Sequence, residues 1–471
     1  MKAVLINAPY KELYGPDRPG IGNYFPLGLG FIAAVLRRAG HEVALIDPEA
    51  MGISEKALVE RVRSFNPGFV GLSCLTPNYP AAGRLARAIK AEVDAPIAIG
   101  GPHATAMRGQ VLSDNEAFDI VVVGEGEATA LQLCAAIEGG SGLDDVAGIV
   151  YRWKEGFRET PPRALLKDLD SLPHPARDMV DMSAYFRPHM YWDIGVRSAS
   201  MIASRGCPYR CIYCASKGTM GDRLRLHSPG YVVDEMESLV HDYGVKYIGF
   251  MDDTMILNHR WVRELCGLIR ERKLDVSWHC VMRVDAASED ILRTIKDAGC
   301  RRISFGIETG DPGLLETSGK GTTLDQARFA VRAARDVGLT VINTYMFGFP
   351  GETWETVRNT IDFAIELSPH IAMFSILVPY PGTETFKEFV HREGDGDIDW
   401  SDFIFSSGLD AIPIGGMSSE DLKKALRLAL RRFYMRPAQL ARILTGMNGP
   451  REILGYVRGG IGVLGKISIF H

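Results

Sequence analysis

The chain has 471 residues, of which 46% are hydrophobic and 24% are charged, and its formal net charge is −5. This composition is typical of a folded protein with sizeable cores, and the length predicts two or three domains. No apolar run reaches the roughly 18 residues of a transmembrane helix, and residues 1–10 resemble a buried strand rather than a signal peptide. We therefore expect a cytoplasmic protein with reduced thiols.

The first 150 residues alternate predicted strands with amphipathic helical segments such as 55–64 and 81–93. Continuous apolar runs predict five strands, at residues 2–7, 42–47, 69–75, 96–99 and 120–123. Parallel strands need crossover helices and are buried on both faces, which makes their sequences continuously apolar. The pattern predicts a Rossmann-like, doubly wound α/β domain over residues 1–150, with its ligand at the carboxyl ends of the strands.

Residues 151–195 interrupt this alternation, since prolines recur there and predict a linker with little regular structure. A second α/β alternation occupies residues 196–400, with predicted strands at 200–204, 247–251, 276–282, 302–306, 341–347 and 373–378. Six βα units indicate a partial (β/α)6 barrel, whose lateral opening would admit a large substrate. The remaining residues, 401–471, are predicted to be a mostly helical C-terminal region.

Three cysteines, Cys207, Cys211 and Cys214, lie within eight residues of the loop after the first barrel strand. Each thiolate can bind a different iron of one 4Fe–4S cubane, which leaves the fourth iron open to another ligand. A structural zinc site is an alternative, but it needs four ligands, and the next candidate, His227, lies thirteen residues past Cys214. Structural thiols are a second alternative. Four other cysteines are predicted to be buried small hydrophobes: Cys74, Cys134, Cys266 and Cys300.

The Cys-x3-Cys-x2-Cys spacing, with Tyr213 before the last cysteine, resembles the signature of the radical S-adenosylmethionine (SAM) superfamily. The resemblance implies that SAM binds the open iron and that one electron cleaves it to methionine and a 5′-deoxyadenosyl radical. It extends to the loops after later barrel strands, such as Ser304-Phe305-Gly306-Ile307-Glu308 and Gly348-Phe349-Pro350-Gly351. The SAM-binding residues that it implies are Tyr213, Asp252, Asp253, Ser304, Glu308, Gly348 and Pro379.

Two further polar residues near the third barrel strand, His279 and Arg283, share a strand parity opposite to that of Trp278, Cys280 and Met282. One set lines the barrel lumen and the other packs on helices. The sequence leaves open which set does which, and therefore whether Arg283 contacts SAM or substrate.

The N-terminal domain resembles the cobalamin-binding module of the B12-dependent branch of this superfamily. The resemblance rests on Ser73-Cys74-Leu75-Thr76, Gly100-Gly101-Pro102-His103-Ala104-Thr105 and Gly124-Glu125-Gly126-Glu127, which follow the third, fourth and fifth strands. It implies cobalamin contacts at Ser73, Thr76, Gly100, Gly101, His103, Thr105, Gly124, Glu125 and Glu127.

The chain departs from many B12 proteins because it has no Asp-x-His-x-x-Gly motif, which leaves the lower ligand of cobalt open. His103 is either such a ligand or a loop contact, as a histidine after Gly-Gly-Pro more often is. Nucleotide binding is the alternative for the domain, but Gly-x-Gly-x-x-Gly is missing after the first strand.

Together the two resemblances imply a cobalamin-dependent radical SAM C-methyltransferase. Such an enzyme transfers a methyl group from methylcobalamin to an unactivated carbon from which the 5′-deoxyadenosyl radical has removed a hydrogen atom. A non-methylating cyclase, oxidative or ring-rearranging enzyme of the same branch is the alternative. We expect a small-molecule or lipid-like substrate and a flavodoxin- or ferredoxin-type electron donor.

The C-terminal region is basic, since Lys and Arg outnumber Asp and Glu by ten to two from residue 421 onward. Basic and apolar residues interleave there at roughly helical spacing. This pattern predicts either a helix packed over the barrel with extended arginines, or a surface that contacts an anionic membrane peripherally. Nucleic acid is not an expected partner, because the rest of the chain is acidic.

Overall fold

Two sheets of mainly parallel strands organise the chain. The computed structural model describes residues 1–10, 13, 22–186, 196–394, 398–404 and 412–439. The strands of the first sheet are β1 (Lys2–Asn7), β2 (Glu42–Ile46), β3 (Phe69–Ser73), β4 (Ile97–Gly100), β5 (Ile120–Val122), β6 (Ile149–Trp153) and β7 (Gly156–Glu159). They lie in the order β2-β1-β3-β4-β5-β6-β7, and the first five are parallel. The predicted doubly wound α/β domain is confirmed.

Helices cover both faces of this sheet. They are α1 (Leu27–Arg38), α2 (Pro48–Met51), α3 (Glu55–Phe65), α4 (Tyr79–Lys90), α5 (Pro102–Met107), α6 (Gly109–Asp114) and α7 (Glu127–Gly139). The side chains of β1 alternate between the two faces of the sheet. Val4 and Ile6 enter one hydrophobic core, while Ala3 and Leu5 enter the core on the opposite face. Burial on both faces explains why the strand sequences are continuously apolar.

The strands β6 and β7 form an antiparallel hairpin that extends the sheet beyond residue 150. The prediction of little regular structure from residue 151 is therefore wrong up to Glu159. All four residues of β7 are exposed, so this edge strand lacks the apolar run that marks the central strands. The proposed limits of the domains stay predictions, and the hairpin belongs to the first sheet.

The second sheet is an open barrel of six parallel strands in the order β15-β14-β13-β12-β11-β8. A separate two-residue ladder, β9 with β10, lies beside it. The strands are β8 (Ser198–Met201), β9 (Ser204–Arg205), β10 (Arg225–Leu226), β11 (Tyr247–Phe250), β12 (Ser277–Met282), β13 (Cys300–Glu308), β14 (Thr340–Phe347) and β15 (Ile371–Ile376). The predicted six-stranded partial barrel is confirmed, with β8 ending three residues earlier than expected.

The helices of the second half lie outside the barrel. They are α8 (Ser216–Met220), α9 (Pro229–His241), α10 (His259–Glu271), α11 (Glu289–Asp297), α12 (Pro312–Thr317), α13 (Leu324–Asp336), α14 (Trp354–Leu367), α15 (Glu384–Glu393) and α16 (Ser419–Tyr434). The buried faces of α9, α10, α11, α13, α14 and α16 form one core with the outward side chains of the strands, Trp278, Cys280 and Met282 among them. His279 lies on the other side of β12. On this strand the even-numbered side chains therefore pack on the helices, and the odd-numbered ones face the barrel lumen.

The last helix, α16, packs against β15 and α14 through Leu422, Leu426 and Phe433. The Tyr434 hydroxyl also donates to the Ala372 carbonyl, at 2.8 Å. Of the two interpretations of the basic segment, the packed helix therefore holds for these residues. The basic and apolar residues from 440 onward lie outside the described part of the chain, and within that part no helix is long and apolar enough to cross a bilayer.

A buried ion pair ties the segment between the two sheets to the barrel. Arg177 Nη2 lies 2.7 Å from Glu235 Oε1 on α9, and the two side chains are 5% and 3% exposed. The same nitrogen donates to the Ser200 carbonyl at 2.8 Å, and the guanidinium lies over the ring of Phe25, just before α1. Arg177 thus contacts residues of both halves of the chain.

We expect Arg177→Met to lower the free energy of unfolding by about 3–5 kcal/mol, because Glu235 would keep a buried charge without its partner. Arg177→Met/Glu235→Leu should recover most of that loss, since neither charge remains. Urea unfolding of the purified apoprotein measures both effects. The exposed pair Arg263–Asp290 provides the control, and Arg263→Met should cost less than about 0.5 kcal/mol. Equal costs for the two single variants would contradict the prediction.

Candidate functional site

A cavity of about 280 Å³ lies where the carboxyl ends of β3, β4 and β5 face the barrel. The strand order reverses between β1 and β3, which is where doubly wound sheets bind ligands. The first domain supplies most of the lining, and the other half of the chain supplies Ile202, Arg205, Thr219 and Met220. The cavity is therefore shared between the two halves.

Most of the predicted cobalamin contacts are in this lining, namely Ser73, Gly100, Gly101, Thr105, Gly124, Glu125 and Glu127. Gly101 has a φ of +98°, and a Cβ atom there would lie 3.2 Å from Ser73 Oγ and collide with the Cys74 carbonyl. The Thr105 hydroxyl accepts a hydrogen bond from Gly124 N at 3.0 Å, which joins α5 to the loop after β5. Small residues and bonded loops thus keep the wall open and fixed.

Two of the predicted contacts lie elsewhere. Thr76 is buried outside the lining. The His103 ring is 1% exposed and is stacked on Tyr79, with 4.3 Å between ring centroids, while its edge meets Trp400 at 4.8 Å. His103 is therefore a packing contact in this structure and does not line the cavity, and its interpretation as a cofactor ligand stays a prediction. The sequence places this residue at the correct edge of the sheet but does not fix the direction of its side chain.

Glu125 and Glu127 line the cavity, but their carboxylates are bonded to arginines. Arg205 donates to Glu125 at 3.0 Å and to Glu127 at 2.6 Å, and Arg225 donates to Glu125 at 2.8 Å. Burial opposes the charge on Glu125, but the Leu166 N–H and the two guanidinium groups outweigh it and lower the pKa of this carboxyl. Neither arginine is among the site residues predicted from the sequence, although the two flank the cysteine motif on either side.

The three motif cysteines lie together in the loop after β9, and their thiols are free. Burial, together with the charges of Asp253, Cys211 and Cys207, raises the pKa of Cys214 to about 11. Burial and the charge of Asp253 also raise the pKa of Cys207, and a bound cationic cluster would oppose this by favouring the thiolate. Within the described ranges no three such side chains converge on a single metal ion. A cubane makes a different demand, since each thiolate binds its own iron.

Contacts from the segments that follow three later strands hold this loop. The Ile212 N–H donates to the Ser318 carbonyl at 3.0 Å, and the Ile212 carbonyl accepts from Thr385 N at 3.2 Å. Arg283, just after β12, places its guanidinium 3.3 Å from the ring centroid of Tyr209. It therefore faces the cysteine loop, and it is fixed there by Asp285 and by the Lys320 carbonyl.

The predicted SAM residues after β11 have different surroundings. The Asp252 carboxylate accepts from Ala203 N at 3.0 and 3.1 Å and from the Ser204 hydroxyl, and burial raises its pKa to about 7. Asp252 therefore fixes the backbone at Ala203 and Ser204, which leads into the cysteine loop. Asp253 is exposed, accepts from the Ser216 hydroxyl and lies beside the thiols.

The remaining SAM candidates lie along β13 and in the loops that follow the barrel strands. Ser304 Oγ lies 2.8 Å from His279 Nε2, and Glu308 forms a buried ion pair with Lys320 at 2.6 Å. A Cβ atom at Gly306 would lie 2.7 Å from the Lys320 amine, so this glycine makes room for the pair. The other three are in the neighbouring loops: Tyr213 packs on Phe349, Gly348 N donates to Glu352, and Pro379 follows β15.

The buried His103 generates a prediction about pH. Burial lowers its pKa to about 3, whereas an unfolded histidine titrates near 6.5. Below pH 6.5 the unfolded chain therefore binds a proton that the folded chain does not. The free energy of unfolding then falls by up to about 1.4 kcal/mol for each unit by which the pH is lowered. Between pH 7 and pH 5 the free energy of unfolding, measured with urea, should fall by up to about 2 kcal/mol more in the parent than in His103→Phe. Equal losses for parent and variant would contradict this assignment.

Comparison with known proteins extends these observations. The family model of the radical SAM superfamily matches residues 201–364, and that of the B12 binding domain matches residues 22–133. An uncharacterized methyltransferase of Pyrococcus horikoshii is 32% identical and covers 97% of this chain and 98% of its own length. The anaerobic magnesium-protoporphyrin IX monomethyl ester cyclase of Cereibacter sphaeroides is 28% identical, over 88% of this chain and 68% of its own.

Two solved structures share the fold. The radical SAM methyltransferase TsrM from Kitasatospora setae, solved with cobalamin and a 4Fe–4S cluster, superposes with a TM-score of 0.70 at 22% identity over 83% of this chain and 78% of TsrM. The cobalamin-dependent radical SAM enzyme OxsB, solved with aqua-cobalamin and SAM, gives 0.74 at 17% identity over 99% of this chain and 71% of OxsB.

The family resemblance is thus carried by matches to both domains and by a relative of 32% identity along almost the whole chain. The predicted enzyme class and the three predicted cofactors are confirmed at the level of the family. The chain belongs to the cobalamin-binding radical SAM enzymes, whose cofactors are a 4Fe–4S cluster, SAM and cobalamin.

Proposed function

We propose that this enzyme transfers a methyl group to an unactivated carbon of a small-molecule or lipid-like substrate. The observation that carries the proposal is the wall shared by the two sites. Arg205 lines the cavity of the first domain and stands two residues before Cys207, the first candidate ligand of the cluster. A methyl donor and a radical source must reach the same carbon, and a shared wall keeps them close together.

The cavity lies among glycines and loop residues at the strand ends and would take the nucleotide tail of cobalamin, with the corrin ring toward the barrel. Two exposed apolar side chains support this placement. Leu75, after β3, is 53% exposed, and Met251, after β11, is 48% exposed. Both follow the carboxyl ends of strands, where apolar surface suits a corrin face or an apolar substrate.

Residues of the barrel have separate roles in this proposal. Cys207, Cys211 and Cys214 hold the cluster, and Arg283 steadies their loop through Tyr209. The pair Glu308–Lys320, at the carboxyl end of β13, and the pair Ser304–His279, deeper in the barrel, offer polar groups to SAM. When bound, the cluster and SAM supply a radical that removes a hydrogen atom, and cobalamin supplies the methyl group.

Methyl transfer is favoured because the relative of 32% identity bears the name of a methyltransferase. The cyclase of 28% identity supports the alternative, a radical reaction without methyl transfer. The name of its substrate describes a large, mostly apolar ring, and the open side of a six-stranded barrel suits a substrate of that size.

Reduced, cofactor-loaded enzyme distinguishes the two reactions without knowledge of the substrate. In an anaerobic single turnover with SAM, a methyltransferase should form S-adenosylhomocysteine up to one equivalent per bound cobalamin. A non-methylating enzyme should form 5′-deoxyadenosine without S-adenosylhomocysteine, and that result would overturn the proposal. In Cys207→Ser/Cys211→Ser/Cys214→Ser we expect 5′-deoxyadenosine to fall below detection while cobalamin stays bound.

A second prediction concerns the cavity itself. A Cβ atom at Gly100 meets only Val122, at 3.6 Å, so the backbone accepts a side chain there and Gly100→Leu should fill part of the cavity. We expect the cobalamin content after reconstitution to fall at least about tenfold, as read from the visible absorption of the protein, for a loss of about 1.4 kcal/mol. Gly139→Leu, at the open end of α7, should load fully. Full loading of Gly100→Leu would place the cofactor elsewhere.

A further inference from the structure

The cysteine loop is closed at its base by the two-stranded β9–β10 sheet. In the β9–β10 ladder, Arg205 is paired with Arg225 and Ser204 with Leu226. Like charges directly opposite each other in an antiparallel pair are destabilising. The base of the loop therefore needs a negative charge from outside the ladder.

That charge comes from the other domain. Glu125, in the loop between β5 and α7, accepts from Arg205 Nη1 at 3.0 Å and from Arg225 Nη1 at 2.8 Å through the same oxygen, Oε1. Glu127 accepts from Arg205 Nη2 at 2.6 Å. Two carboxylates thus meet two guanidinium groups, and Arg205, Glu125 and Arg225 are 6%, 7% and 11% exposed.

Arg225 also joins three segments of backbone. Its Nη2 donates to the Met220 carbonyl within the cysteine loop, at 2.7 Å. Its Nη1 donates to the Leu166 carbonyl of the connecting segment at 2.8 Å, and the Leu166 N–H donates to Glu125 Oε2 at 2.8 Å. The loop, the connecting segment and the cavity wall therefore meet at one buried charge cluster, which tolerates little change in geometry.

This buried charge cluster of Glu125, Glu127, Arg205 and Arg225 borders both cofactor sites. Glu125 and Glu127 belong to the lining of the cavity, and Arg205 lies two residues before Cys207. Arg205 also lies over the ring of Phe31, a further residue of the lining. A displacement of Glu125 would move the base of the cysteine loop relative to the cavity wall.

We propose that Glu125 is a positioning residue that fixes the cysteine loop against the cobalamin cavity and thereby sets the distance between the cluster and cobalt. This inference goes beyond the proposed reaction, because it depends on the two cofactors alone. It applies equally to a methyltransferase and to a non-methylating enzyme, and its failure would leave the proposed function untouched.

The test measures the dipolar interaction between the reduced cluster and cob(II)alamin, both paramagnetic, by EPR spectroscopy of the anaerobic holoenzyme. The parent should give one narrow distance distribution. Glu125→Gln should retain both cofactors and give a distribution at least about twice as wide, or a shifted mean, because neutral Gln cannot balance both arginines. Glu125→Asp should lie between the two, since it restores the charge with a shorter side chain. No turnover is needed for this readout.

Glu138→Gln is the matched control. Glu138 lies on α7 of the same domain, is 52% exposed and pairs with the N-terminal amine. Removal of the Glu138 charge should leave the distribution of cluster–cobalt distances as it is in the parent. A parental distribution in loaded Glu125→Gln would overturn the proposal.

If Glu125→Gln fails to fold or to load, Glu125→Asp and Arg225→Lys decide the question. Arg225→Lys keeps the charge but cannot span Glu125, Leu166 and Met220 together, so it should broaden the distribution. Parental distributions in both of these variants would overturn the proposal as well.

Discussion

In a sheet of parallel strands every strand points the same way, so each must be followed by a crossover and all the following loops lie along one edge. This constraint acts twice in the chain. It gathers the loops after β3, β4 and β5 around one cavity, and it gathers the cysteine loop with the loops after β11 to β15 around the mouth of the barrel. The two edges meet because the cavity is lined from both halves. The chemistry of the family, which needs two large cofactors near one substrate, depends on this juxtaposition.

The contact between the halves depends on buried charge as well as on apolar packing. Arg177 with Glu235, and Arg205 and Arg225 with Glu125 and Glu127, are ion pairs at most 11% exposed. Such pairs contribute little net stability, because desolvation offsets their attraction, but they accept few alternative arrangements. Apolar side chains would tolerate sliding between the halves, whereas carboxylates that accept from guanidinium groups at 2.6–3.0 Å do not.

The sequence predicts the parallel core well, because burial on both faces makes each strand a continuous run of apolar residues. The bounds of β1 agree with its predicted range, and all six barrel strands appear in the predicted places. The β6–β7 hairpin was missed, because an exposed edge strand has no apolar run. The salt bridge of Arg205 and Glu125 joins residues 80 positions apart, and local spacing carries no signal for it. His103 shows the same limit at the scale of one side chain, since its ring points into the core, between Tyr79 and Trp400, and not into the cavity.

Trp400 carries a consequence for how the two halves can move. The chain leaves the first domain through the segment that contains Arg177, builds the barrel, and then returns to place Trp400 against the His103 ring and α4. The charge cluster of Glu125 with Arg205 and Arg225 is a further attachment, so the first domain is held at several separated places rather than through a single hinge. A rigid rotation of the first domain would break at least one of these contacts. Substrate entry and product release are therefore expected to depend on the loops at the open side of the barrel.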